Sequence, residues 1–192
     1  MATPAPHHSL PAHLLSTKAP WTSLLVLKKG QRAESLVTIP SGFVSTIIRG
    51  DKCRTSTGLF SEFARAMEFP EYFGHNWDAL EECLADLEWL PARGYVLIFT
   101  DAEQVLPDDE EDYATFLEVL SDAGEAWGSG NAGMGEQRPT PFHALLAVSV
   151  GEKSKRAHWS IQEITPQSPR APKLRRQPSQ SQASRRQKGR CE

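Results

Sequence analysis

Apolar positions along this chain switch between runs and helical spacing, and the switches mark out its elements. Residues 43–49 (FVSTIIR) form a β-branched run closed by Gly50-Asp51, which predicts a strand and its turn. Residues 57–67 then place Leu59, Phe60, Phe63, Ala66 and Met67 at helical spacing, with Ser56 or Thr57 as N-cap and Phe69-Pro70 as the stop. A second helix is predicted over 76–89. Pro91 and Gly94 punctuate before residues 95–100 (YVLIFT), an apolar run without alternation, as expected of a strand covered on both faces in a parallel sheet. Residues 101–106 read as a helical turn. Residues 108–126 read as a helix in which Tyr113, Phe116, Leu117 and Leu120 recur at three and four. After a Gly-, Asn- and Pro-rich loop over 128–141, residues 143–150 (HALLAVSV) predict a third buried strand. Strands alternating with helices predict an α/β fold over 43–150: a small, three-layer-like sandwich with a three-stranded parallel sheet packed by helices.

The flanks read differently. Residues 1–20 are rich in Pro, His, Ala and Ser and are predicted disordered. Within the extension 21–42, the runs 24–27 and 36–39 around Lys28-Lys29-Gly30 predict a hairpin at the domain edge. From Gly151 the composition turns to Arg, Lys, Gln, Ser and Pro, and 166–192 contains almost nothing that could bury itself. The 151–192 tail is therefore expected to be disordered.

Charge sharpens this division. The formal net charge of −3 averages two unlike objects: residues 1–150 carry 10 Lys/Arg against 21 Asp/Glu, and residues 151–192 carry 11 against 3. Between 68 and 125 there are 17 carboxylates and a single cation, Arg93. So dense a field points to a strongly positive partner, such as a protein built to hold phosphates. Three widely spaced cysteines (Cys53, Cys83, Cys191) without CxxC spacing argue against a disulfide framework or zinc site. No run approaches the ~20 apolar residues that span a bilayer, and the N-terminus lacks the pattern of a signal peptide, so a cytoplasmic protein is expected.

The chemistry concentrates at Pro70-Glu71-Tyr72-Phe73-Gly74-His75-Asn76-Trp77-Asp78-Ala79-Leu80, an aromatic loop feeding the second helix. At 100° per residue, Trp77, Leu80, Leu84 and Leu87 fall on one stripe and Asp78, Glu81, Glu82 and Asp86 on the opposite one. Cys83 lies between the two faces, a structural thiol with no base beside it. No Lys or Arg at i+4 relieves the acidic stripe, and like charges at that spacing cost a few tenths of a kcal/mol per pair in an isolated helix. A solvated surface would explain one such helix. It does not explain acids that continue through the following segments.

This motif resembles the barstar family, the intracellular protein inhibitors of barnase-type ribonucleases, in which a loop of the form PEYYGxNxDAL leads into the helix that plugs the nuclease active site. A weaker similarity in element order extends over 43–150. The resemblance implies that Tyr72 is an interface tyrosine and Asp78 the first inhibitory aspartate. Glu82 stands at the position of the dominant one, and Asp122 matches a further interface acid on the later helix. Gly74 would supply a backbone turn that lets the loop lie flat, Asn76 would cap the helix, and Tyr72 and Phe73 would add flat contact area. Glu81 replaces an aromatic interface residue and His75 an acid. The implied partner-binding set is Tyr72, Phe73, Gly74, His75, Asn76, Asp78, Glu81, Glu82 and Asp122, the partner a cationic barnase-like ribonuclease, and no cofactor or metal is implied.

Other readings stay open at this stage. Asp78 and Glu82 could pair as catalytic carboxylates near His75, but no phosphate-cradling loop, GxSxG elbow or metal-ligand spacing accompanies them, so no enzyme is expected. Consecutive acids over 108–112 suit a dipole-stabilised first turn better than a metal site. The acidic face could also serve a protein partner of other specificity. The basic tail (Lys173, Arg175, Arg176, Arg185, Arg186, Lys188, Arg190) would bind nucleic acid non-specifically, or fold back on the acidic body as a brake.

Overall fold

Five parallel strands form one sheet in the order β2-β3-β4-β1-β5, in a computed structural model that describes residues 10–133, 138–152 and 161–164. The elements are α1 (Leu10–Leu14), β1 (Thr22–Leu27), α2 (Ala33–Leu36), β2 (Val44–Arg49), α3 (Ser56–Met67), α4 (Trp77–Asp86), β3 (Tyr95–Thr100), α5 (Glu110–Ser129), β4 (Phe142–Ser149) and β5 (Gln162–Ile164). The α/β class and the order of elements from β2 to β4 are as expected.

The strands alternate between two apolar layers, which is why β3 and β4 are apolar at nearly every position. Tyr95, Leu97, Phe99, Phe142, Ala144, Leu146 and Val148 face α3, α4 and α5 in the main core. Val96, Ile98, Leu145 and Ala147 face the other way and pack with Leu10 and Leu14 of α1 and with Ala33 and Val37 in and after α2.

The sheet has five strands where three were expected, and the difference lies in the flanks. Residues 24–27 and 36–39 make no hairpin. The first belongs to β1, which pairs in parallel with β4 on one side and β5 on the other (Thr22 opposite Ala144, Ser23 opposite Gln162), and no strand covers the second. Residues 1–20 are not wholly without structure, because α1 buries Leu10, His13 and Leu14; residues 1–9 lie outside the described residues. The chain re-enters the sheet at β5, so the tail is not uniformly irregular. Residues 153–160 and 165–192, with Cys191 and every basic position named above for the tail, lie outside the described residues. Thr55, rather than Ser56 or Thr57, caps α3 by accepting from the Gly58 N–H at 3.2 Å.

Trp21 fastens the N-terminal segment to the helical layer. It lies across α5, where a methyl group on Gly124 or Gly128 would collide with its ring. At the far edge, β2 pairs only with β3, and its end is closed from α3. Glu62, 3 % exposed, accepts from the Arg49 backbone N–H (3.1 Å), from Arg49 Nε and Nη2 (2.9 and 2.8 Å) and from Arg65 Nε and Nη2 (2.9 and 2.6 Å). An unpaired edge invites association with another chain, and this carboxylate occupies one donor of that edge, the Arg49 N–H. Burial alone would push the Glu62 carboxyl up; the hydrogen bonds from Arg49 and Arg65 outweigh it and hold the group far below the carboxylate range.

Candidate partner-binding face

Helix α4 begins where a side chain can start it. Asn76, in extended backbone, accepts from the Ala79 N–H at 2.8 Å and satisfies one of the orphan donors of the first turn. Replacing Asn76 with alanine is expected to lower stability by about 1 kcal/mol, read from urea unfolding, and to loosen the turn that carries Asp78. The loop is shaped otherwise than the sequence implied. The left-handed residue is His75 (φ 51°), not Gly74. Glycine at 74 answers a close approach instead: a Cβ there would sit 3.2 Å from Asn76 Nδ2 and 3.4 Å from the Ala79 methyl.

Three indole N–H groups hold α4 and its surroundings. Trp77 Nε1 donates to Asp112 Oδ1 (3.2 Å) in the first turn of α5, and Trp127 Nε1 on α5 donates to the Leu84 carbonyl (2.8 Å) near the end of α4. Trp89 Nε1, just past α4, donates to the Met67 carbonyl (3.0 Å) at the end of α3. Leu80, Cys83 and Leu84 are buried beneath the helix, and Trp77 packs edge-on against Phe60 (ring centroids 5.0 Å apart). An α4 fixed at both ends can present side chains with little loss of freedom on binding.

The opposite face is exposed acid. Asp78, Glu81 and Glu82 are exposed, Asp86 is half-buried, and Asp122 is exposed on the neighbouring α5. None of Asp78, Glu81, Glu82 and Asp122 forms an ion pair among the described residues. The helix N-terminus favours Asp78, whereas Asp86 falls in a last turn with no basic residue to offset it. Acids 110–112 occupy the first turn of α5 behind the cap Asp109, which accepts from the Asp112 N–H at 3.0 Å.

Around this face, Tyr72 is 73 % exposed. Partial desolvation and the neighbouring Cys83, Asp86 and Glu88 push its phenol up, so at neutral pH it keeps its proton and can donate. Phe73 corrects the expectation of flat contact area. It is buried and edge-on to Phe69 (4.9 Å) and Phe60 (6.4 Å), so it anchors the loop. The exposed His75 also leans on its ring (4.7 Å). Cys83 is buried and Cys53 fully so; burial pushes both thiols up, Cys53 to about 12, which leaves neither nucleophilic at neutral pH.

Reasoning from sequence missed Glu62, Trp127 and Trp89 as supports of this architecture. Glu62 flanks the apolar stripe of α3 with Arg65 three residues on, and that pairing was its one visible signal. A groove lined among others by Trp21, Thr22, Tyr113, Leu117 and Ile161 includes no residue of α4 or its loop. Among the described residues, no helix is long and apolar enough to cross a membrane.

No curated protein matches the chain. A protein-family model described as Barstar (barnase inhibitor) matches residues 43–147, more than half of the chain and the whole stretch from β2 to α5 with most of β4. The chain therefore belongs to the barstar family, a family of barnase inhibitors.

Proposed function

We propose that this protein binds a barnase-type ribonuclease and occludes its cationic active site with the acidic face of α4, protecting the cytoplasm that holds both. The observation that carries the reading is the set of Asp78, Glu81 and Glu82: exposed, without ion pairs among the described residues, and held on a helix fixed at both ends. Arg, Lys and His gathered to hold RNA phosphates meet carboxylates at helical spacing instead, and charge-assisted hydrogen bonds replace those to phosphate. Tyr72 and His75 flank the contact and Asp122 extends it onto α5. The protein acts by steric and electrostatic blockade and catalyses nothing itself.

The deciding experiment titrates the protein against a barnase-type ribonuclease while RNA cleavage is followed. Stoichiometric loss of cleavage is expected. Undiminished cleavage at a large excess, or RNA turnover by the protein alone, would overturn the reading. Charge steering should show in the kinetics as well, an effect for which barnase and its inhibitor are the reference case. The association rate is expected to fall by about tenfold or more between low and high salt, with a smaller change in dissociation. Stopped-flow fluorescence measures both.

A further inference from the structure

Two buried histidines face each other where α1 meets the sheet. His13 (6 % exposed) comes from α1 and His143 (0 %) from the start of β4, and their ring centroids are 4.5 Å apart. His143 Nε2 lies 2.9 Å from the Ser16 carbonyl, an acceptor only, so this nitrogen carries the proton. His143 Nδ1 is buried without a hydrogen-bond partner among the described residues, as suits a neutral ring. His13 Nε2 lies 3.4 Å from Ser23 Oγ.

We propose that this imidazole pair is a pH-sensitive latch that holds the N-terminal segment on the sheet when neutral and releases α1 when protonated. Its members stand on the two parts that would separate. The first proton would enter a buried ring, and the second would set like charges face to face at low effective dielectric. Burial pushes the His143 imidazole below the usual 6.5, against the opposing pull of the Ser16 and Pro20 carbonyls. The groups around His143 are His13 from α1, Ser16 and Pro20 from the linker, Trp21 ahead of β1 and Val96 alongside on β3. Among the described residues no charged side chain contributes to its shift, and Lys18, the linker's cation, is exposed. A histidine with a depressed folded value stabilises the docked state at pH above its undocked value. That contribution shrinks as pH falls through about 6.5 towards the folded value.

Release would bare Leu25, Val96, Ile98 and Leu145, which α1 helps to cover with Leu10 and Leu14. The main core and the α4 face lie on the other side of the sheet and stay in place. The latch is also separate from the matched family segment on one side: His143 lies within 43–147 and His13 outside it.

Hydrogen–deuterium exchange on the full chain, corrected for intrinsic rates, tests this between pH 7.5 and 5.5. Protection of residues 10–16 is expected to fall by about tenfold for each proton taken up per pH unit, while β3 and β4 keep theirs. In His13→Phe, which keeps a ring but cannot charge, the fall should shrink or vanish. NMR titration of the imidazole Cε1–H resonances in the unmodified protein gives a second reading, with coupled titration of the two rings expected and that of His143 displaced below the usual 6.5. Equal protection of 10–16 at both pH values, loss shared with β3 and β4, or ordinary independent titration of both rings would each overturn the latch.

Discussion

Asp78→Ala and Glu82→Ala are each expected to weaken the ribonuclease complex by about 2–5 kcal/mol, the range for removing one partner of a desolvated, hydrogen-bonded charge pair. Much of that loss would arise on the partner's side, where a cation buried by the interface would lose its counter-charge. The free protein should barely notice. Both side chains are exposed and without ion pairs among the described residues, and Asp78 forgoes only its favourable place near the helix N-terminus, about 0.3–1 kcal/mol. Isothermal titration or inhibition assays measure the first quantity and urea unfolding the second. Glu82→Asp adds a test of reach, since the shorter acid is held more firmly but projects less. Full affinity in both alanine variants would end the proposal that α4 occupies the nuclease site, as would an affinity loss that merely tracked unfolding.

Glu62→Ala should cost about 3 kcal/mol of stability, the lower end for breaking a buried ion pair by removing one partner. The lower end applies because Arg49 and Arg65 keep side-chain exposures of 45 % and 53 %, so water can partly solvate them once the carboxylate is gone. The Arg49 backbone N–H at the end of β2 also loses its acceptor. A melting temperature lower by about 6–12 °C would follow for a chain of this size. Acid should reproduce part of the effect. A carboxyl with a depressed folded value stabilises at pH above its ordinary 4.5, and that contribution is lost progressively as pH falls below it. The advantage of the unmodified protein over Glu62→Gln should therefore narrow on acidification. A Glu62→Ala variant within 1 kcal/mol of the parent would show that the two arginines hold α3 to β2 without it.

Much of this was legible in the chain because local signals and tertiary demands agree between β2 and β4. The unalternating run 95–100 announced a strand covered on both sides, and the opposed stripes of α4 matched the observed burial of Leu80 and Leu84 beneath exposed Asp78, Glu81 and Glu82. The run at 24–27 carries the same unalternating signal as 95–100, but proximity to residues 36–39 made it look like half of a hairpin. Its real partner, β4, begins more than a hundred residues later, and no local pattern encodes so distant a pairing. Phe73 was misjudged for a related reason. Adjacent aromatics look alike in a sequence, and only the backbone decides that Tyr72 turns outward and Phe73 inward. The histidine pair was invisible because His13 and His143 meet only across the completed fold.

The strands β1 and β5 lie outside the matched segment yet continue the sheet past β4, and α1 and α2 roof its second face. In this protein, then, the matched segment shares its sheet and its apolar layers with both flanks. Cut back to residues 43–147, it would carry a raw hydrogen-bonding margin along β4 and a bare apolar floor at Val96, Ile98 and Leu145, both invitations to clump. Any transplant of α4 with its sheet into another host would have to bring both flanks along.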